Sequence, residues 1–437
     1  MRLAVAVLAS LIVGCDGSRN TTLSAPSTAI FGPPEKIGYS NGDDWEPAMT
    51  ADNFGHLYVA FAHASLAQER RGIYHTQMLV QRSDDAGTTW NTPVAVATAA
   101  PIQSEGQFDP WFTLAPDGQT LSFGFLQGYP DAPVDIVSST NFGATWSAPP
   151  RSVSRLAPPL DKVVLVSRGS LMAVGYTDYH SHIVASVSIN SGITWTTHIV
   201  AKLAGLTNSS QVLVSGGGID SESNIYFTWD AVWSATHKPA PAAVWITKSA
   251  NLGATWTTTN LAYSGLPPSC TQCQDKWFFA PQINMQIGSD DAIYAFWNAT
   301  APSEHEHNGG LERVYFAKSA DHGKSFSTPA DVSDAPRTAT HCFPAVVSGP
   351  TAGDVRLAWM DTRTGSWNVY YKYSTNGGES FSGSSTQLSS GPAADFGIPY
   401  GDYMQMAVDV NNMTHAAWGE DTNQKNPGNI WIVNQTR

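Results

Sequence analysis

One eight-residue pattern, Ser-x-(Asp/Asn)-x-Gly-x-(Thr/Ser)-(Trp/Phe), recurs six times along this 437-residue chain. The copies are SDDAGTTW (83–90), STNFGATW (139–146), SINSGITW (188–195), SANLGATW (249–256), SADHGKSF (319–326) and STNGGESF (374–381). Their starts lie 56, 49, 61, 70 and 55 residues apart, long for a solenoid turn and suited to a four-stranded sheet with variable loops. The 37 Gly, 27 Pro and 47 aromatic residues (15 Trp, 15 Tyr, 17 Phe) fit short strands packed through rings and joined by tight turns, and exclude a helical bundle. Within each copy the carboxylate or amide of Asp85, Asn141, Asn190, Asn251, Asp321 or Asn376 can accept backbone N–H groups of the turn. The glycine two residues on supplies a positive backbone angle, and the closing aromatic buries area against the sheet. The acidic residues of these turns are therefore structural.

These turns are Asp-boxes, and on them the chain resembles the sialidase superfamily and other Asp-box propellers. The resemblance implies an all-β propeller whose blades each carry an inner strand, a second and a third strand, the box and an outer strand. The second strands align as LYVAFAH, LSFGFLQ, LMAVGYTD, IYFTWD, IYAFWN, VRLAWMD and THAAWGE, one more than the number of boxes. The last unit supplies three strands before the chain ends. FGPPEKIG (31–38) resembles the segments after the boxes, with Pro ahead of a short strand, and so can complete that unit. The expectation is one domain over 31–437, a seven-bladed propeller closed by an N-terminal strand; the alternative is six blades with a separate appendage.

Residues 1–14, MRLAVAVLASLIVG, carry Arg2 and then an apolar run too short to span a bilayer, which reads as an export signal peptide. Ile12-Val13-Gly14-Cys15 resembles a bacterial lipoprotein processing site, implying lipidation of Cys15, a polar tether over 15–30 and a position on the periplasmic or cell-surface side of a membrane; secretion is the alternative. Export permits disulfides, and Cys273 with Cys342 is the preferred pair, with Cys270 as the alternative partner, because both lie just before inner strands. The 23 basic against 36 acidic residues give a net charge of −13, which repels phosphate backbones and argues against nucleic acid as a partner. A monomer is expected.

The propeller topology gathers the loops leading into the inner strands on one face, around the axis. Those loops carry Asp44 with Glu46, Asp109, Asp161 with Lys162, Asp275 with Lys276, His341, and Asp402 with Tyr403. The ends of the second strands add His63, Asp178, Asp230, Asn298, Asp361 with Arg363, Glu420 and Asp421. In a chain with only 14% charged residues this concentration marks a candidate mouth. Crowded carboxylates divide into protonated and ionised members, the division that glycosidic cleavage needs. Asp44, Asp109, Asp161, Asp275, Asp402 and Tyr403 form the candidate catalytic pool. Trp45, Glu46, Lys162, His180, Asp230, Lys276, Trp277, His341, Asp361 and Arg363 are candidate substrate contacts. No cofactor is required, although clustered oxygens of this kind can also hold Ca2+. The histidines of SEHEHNGG lack helical metal-ligand spacing and read as solvated loop.

Catalytic sialidases grip a carboxylate with three arginines and use a tyrosine paired with a glutamate. Here the Arg-Ile-Pro segment of that family is absent, and the corresponding region reads NGDDWEP. Tyr400 or Tyr403 beside Asp402 only loosely matches the tyrosine–acid relation. The expected substrate is a glycan or polysaccharide, cleaved by hydrolysis or a related reaction. A non-catalytic glycan-binding or scaffolding propeller is the alternative.

Overall fold

The computed structural model describes residues 29–39, 42–65, 75–100, 104–129, 133–148, 150–154, 159–203, 211–233, 237–266, 281–300, 310–389, 398–399, 401–421 and 428–437. All regular structure in them is β, in a propeller-like arrangement of antiparallel meanders. In the first unit the inner strand Gly42–Ala51 pairs with Leu57–Ser65, which pairs with Thr76–Ser83 and then with the short outer strand Val94–Ala95. The same order recurs through Gly106–Leu114, Pro159–Arg168, Gln211–Ile219, Ile283–Ile287 and His341–Ser348 as successive inner strands. The first two meanders are joined into one eight-stranded sheet by a single parallel pair, Thr76 with Gly106. The last sheet contains Gln405–Val408, Thr414–Asp421 and Asn429–Asn434, and its outer strand is N-terminal: Glu35–Ile37 pairs with Ile430–Ile432. Further backbone bonds from Ile30 and Gly32 to the C-terminal residues extend this joint between the two ends of the chain.

The second strands are the most buried part of the molecule. Leu171–Asp178, Ile225–Val232, Ile293–Thr300, Val355–Asp361 and Thr414–Asp421 are buried along their whole length, as expected of strands covered by a neighbouring sheet on each face. Trp229, Trp297, Trp359 and Trp418 stand at matching places in these strands and are fully enclosed. Two of them donate their indole N–H to a carboxylate two residues on, Trp359 to Asp361 at 2.8 Å and Trp418 to Glu420 at 3.0 Å. A strand period of two puts each such pair on one face of the sheet.

The boxes close on the serine as much as on the acid. In box 188–195, Ser188 Oγ accepts from Gly192 N at 2.9 Å and donates to Asn190 Oδ1, which also accepts from Thr194 N at 2.9 Å. Equivalent bonds occur in the other boxes. Gly253 has φ +88°, and a Cβ there would lie 2.7 Å from Val187 of the preceding sheet, so the glycine serves both the turn and the contact between sheets. Ser83 pairs with Leu57, at the end of its sheet opposite Asp44 and His63. The box turns and the acidic loops therefore lie on opposite faces.

A cavity of about 440 Å3 runs along the axis. Met49, Phe112, Val166, Gly218, Gln286, Val346 and Met406, one from each inner strand, contribute to its wall.

Candidate functional site: an acidic cluster around Lys162

Five inner strands break register at the same level of the ring, between Trp45 and Ala48, Phe108 and Trp111, Asp161 and Val163, Val214 and Gly216, and Cys342 and Ala345. At these bulges Glu46, Asp109, Lys162 and Phe343 take left-handed backbone angles, with φ from 52° to 59°. Non-glycine residues adopt this region at a cost of about 1–3 kcal/mol when the surrounding structure fixes them, and such residues concentrate at functional sites. Each bulge re-aims one residue of a strand whose neighbours keep their alternation. Three of the four side chains so turned are charged.

Those side chains converge. Lys162 Nζ forms an ion pair with Asp402 and lies 3.5 Å from Asp109 Oδ1, and all three side chains are buried. Asp109 Oδ2 also accepts from Lys162 N at 3.0 Å, while Asp161 Oδ1 accepts from the same N–H at 2.9 Å. Glu46 Oε2 accepts from Asp109 N at 3.4 Å, and Gln282 Nε2 donates to the Asp402 carbonyl at 2.6 Å. The Lys162 ammonium sits 4.5 Å from the centre of the Tyr403 ring, within cation–π range.

The electrostatics follow from four carboxyl groups around one ammonium. Burial alone would discharge Lys162, but the charges of its two ion-pair partners, Asp402 and then Asp109, lead the opposing effects that outweigh it and hold the ammonium protonated. Burial, then the charges of Asp109 and Asp402, push Glu46 well above the usual carboxylate range. Asp161 is pushed well above it by burial and by Asp109. Asp402 is raised by burial, against the opposing pull of Lys162. Tyr403 is raised well above an ordinary phenol by burial and by Glu46, Asp109, Asp402 and Asp161. The site thus combines proton-holding acids, Glu46 and Asp161, with Asp402 ion-paired to a cation.

The remaining candidates fall outside this cluster. Asp230 is buried nearby and accepts from Ser215 Oγ at 3.2 Å; burial raises its pKa well above normal. Asp44 is fully buried beneath His63, accepting from its Nδ1 at 2.7 Å and from Tyr39 N at 3.1 Å. Trp45 is buried in the core, 6.0 Å from the ring of Phe108. His341 is buried between the Glu312 carbonyl and Ser333 Oγ, each at 2.7 Å, and burial lowers it to about 4, so it is neutral. Asp361 serves Trp359 and Arg363, and Arg363 is held by Asp361 at 2.7 Å and Asp334 at 2.9 Å over the ring of Tyr370. That guanidinium is committed to carboxylates of its own chain. His180 is exposed, its ring 5.7 Å from that of His182, which pairs with Asp178. Asp275, Lys276, Trp277, Tyr400, Cys270, Cys273, residues 301–309 and residues 1–28, Cys15 among them, lie outside the described residues. Among the described residues Cys342 is a buried thiol without a disulfide; both of its expected partners lie outside them.

Sequence reasoning did not single out Ser215, Gln282, Asn284 or Gln405, all of which line a small cavity beside Lys162, Asp109 and Asp402. Their only sequence signal is their place in, or directly before, an inner strand. Among the described residues no group of three or more His, Cys, Asp or Glu is arranged to hold a metal ion, and no helix is long and apolar enough to cross a membrane.

No family model matches the chain, and no curated protein matches it. Among solved structures it is similar to a protein of unknown function from Dyadobacter fermentans, at 12% identity over 94% of this chain and 99% of that one, with a TM-score of 0.52. It is also similar to an ulvan lyase of polysaccharide lyase family PL25, bound to GlcA(1-4)Rha3S, at 10% identity over 91% and 95% of the two chains and a TM-score of 0.55. A microbial sialidase, Hz136, aligns at 14% identity over 90% of this chain and 65% of that one, with a TM-score of 0.45. At these identities the likeness to the first two structures is one of fold: the chain has a propeller-like all-β architecture found in a polysaccharide-cleaving enzyme.

Proposed function

We propose that this chain is a glycan-cleaving enzyme, a glycoside hydrolase whose reacting groups are the carboxyls around Lys162. The observation that carries the reading is the shared ammonium: Lys162 pairs with Asp402 and pulls its pKa down against burial, while Glu46 and Asp161, not paired to it, are raised well above the usual carboxylate range by burial and by Asp109. Hydrolysis of a glycosidic bond needs such a pair, an acid to protonate the leaving oxygen and an ionised group on the other side of the anomeric carbon. The nearby half-buried rings of Trp111 and Tyr403 and the polar side chains of Ser215, Gln282 and Asn284 line a small cavity beside these carboxyls, mixing apolar and hydrogen-bonding groups. Elimination, the chemistry of a lyase, is less well served. It needs a cation to neutralise the sugar carboxylate, and Lys162 is already engaged by Asp402 and Asp109.

The reading includes a ring of seven blades, the last closed by Glu35–Ile37, supported by the inner strands that share the axial cavity. It also includes export and acylation at Cys15, supported by the apolar run that ends there. Asn434 Nδ2 donates to Gly87 O, so the two ends of the propeller meet on the box face. An anchor at Cys15 would then direct the acidic mouth away from the membrane.

The test is incubation of the purified protein with a panel of neutral, uronate-containing and sialylated glycans, with products separated by mass. Saturated products from at least one glycan support hydrolysis. Products with an unsaturated end group would replace it with elimination, and retention of a glycan without cleavage would replace both with a binding role.

A further inference from the structure

We propose that the cavity beside Lys162 is a binding site for a single water molecule, held by Asp402 Oδ1, Tyr403 Oη and Gln405 Nε2, and that this water is the nucleophile of the reaction. The second half rests on the hydrolytic reading above; the first half does not.

Among the described residues these three atoms are buried without a hydrogen-bond partner, and all three residues line the same cavity. The neighbours of each residue decide which atom is left over. Gln405 Oε1 accepts from Met49 N at 3.0 Å, so the amide nitrogen is the unpaired end. Asp402 gives Oδ2 to Lys162 and its carbonyl to Gln282, so Oδ1 remains. A buried polar group without a partner is costly, and three around one space make a solvent molecule there strongly favourable. The volume is about 30 Å3, room for one water and little more. The chemistry also matches: a water donates to the carboxylate and accepts from the phenol O–H and the amide N–H, giving the two to four partners a buried water requires.

This arrangement makes the water a reagent. Its oxygen bonds to the anomeric carbon as that carbon's bond to the glycosidic oxygen breaks. Its proton passes to Asp402 Oδ1, and the leaving oxygen takes the proton of Glu46 or Asp161. One water is consumed, and the released sugar has the inverted configuration. Tyr403 then holds the water and is not itself the nucleophile, in keeping with a phenol that carries no partner base. Gln405 is a positioning residue that acts through the water.

The experiment has two arms. In a crystal structure at near-atomic resolution, one ordered water is expected within hydrogen-bonding distance of all three atoms in the wild type and is expected to be lost in Gln405→Met. An empty cavity, or a side chain filling it, overturns the site. On any glycan the protein cleaves, Gln405→Met is expected to lower kcat by on the order of a hundredfold with KM little changed, and NMR of the first product is expected to show inversion. Retention of configuration, or an unchanged kcat in a variant that has lost the water, overturns the reagent role. If no glycan is cleaved, the hydrolytic reading and the reagent role fall together, and the water site still stands or falls on the crystal.

Discussion

Lys162 and Asp402, 240 residues apart in sequence, form an ion pair with both side chains buried, and Asp109 takes the other side of the same ammonium at 3.5 Å. Two inner strands, Gly106–Leu114 and Pro159–Arg168, are thereby tied to the segment that leads into a third, Gln405–Val408. Removing the cation leaves several buried carboxyls with no counter-charge. Breaking a buried pair on one side costs about 3–5 kcal/mol. Lys162→Met is therefore expected to destabilise the fold by about that amount in chemical denaturation at neutral pH, with a smaller loss in acid, where the carboxyls are protonated. A loss equal at both pH values would mean that packing of the lysine stem, and not its charge, matters.

The proton-holding acids predict a pH dependence of opposite sign to that of most carboxylates. Glu46 and Asp161 have folded pKa values raised above the unfolded ones. Their contribution is intact below the unfolded carboxylate range, near about pH 4, and is lost as pH rises through the folded values. Asp161→Asn and Glu46→Gln remove the ionisation and so should melt higher than wild type at about pH 8 and equally at about pH 4. The expected gain is about 1.4 kcal/mol for every tenfold by which folding weakens the acid. Thermal melts across that interval check it; variants less stable than wild type at the higher pH would contradict it.

The joint between the chain ends gives a separate prediction. Glu35–Ile37 completes the last sheet, and Ile30 bonds the C-terminal residues. Deleting residues 29–38 exposes the edge of Asn429–Asn434 and uncovers Ile430 and Ile432, both fully buried. The melting temperature should fall markedly. An unchanged transition would show that the ring does not depend on this strand.

Trp45 separates a core role from a surface one. Its burial against Phe108 predicts that Trp45→Ala destabilises the protein by about 3–5 kcal/mol, with any effect on glycan retention following loss of fold. Glycan affinity that drops in a variant of wild-type stability would return the residue to the binding surface.

How legible the molecule was depends on the range of the interactions. The box turns were readable because all their parts, such as Ser188, Asn190, Gly192 and Thr194, lie within eight residues and bond one another. Closure by the N-terminal strand was readable because Pro ahead of a short strand repeats the segments after the boxes. The site was readable as a set of acidic loops and no further, since the direction of each side chain depends on the bulges. Asp44 and Glu46 share a strand, yet Asp44 turns to His63 and Glu46, at the bulge, to Asp109. A faint signal existed: Glu46-Pro47, Asp109-Pro110 and Phe343-Pro344 put a proline directly after three of the four left-handed residues. Asp361 and Glu420 also carried a signal, as acids two residues beyond a buried Trp on the same strand face. Arg363 could not be judged from sequence, because its partner Asp334 lies in a loop 29 residues away.

The most direct measurement of the central claim is a comparison of wild type with Asp402→Asn on a glycan that the wild type cleaves, after both are shown to be folded. Asn keeps the size of the side chain but removes both the charge that pairs with Lys162 and the acceptor for a proton. Saturated products are expected from the wild type, and a rate at least about a hundredfold lower from the variant, with glycan binding retained. Equal rates from the two proteins would contradict a catalytic role for Asp402 and the hydrolytic mechanism built on it.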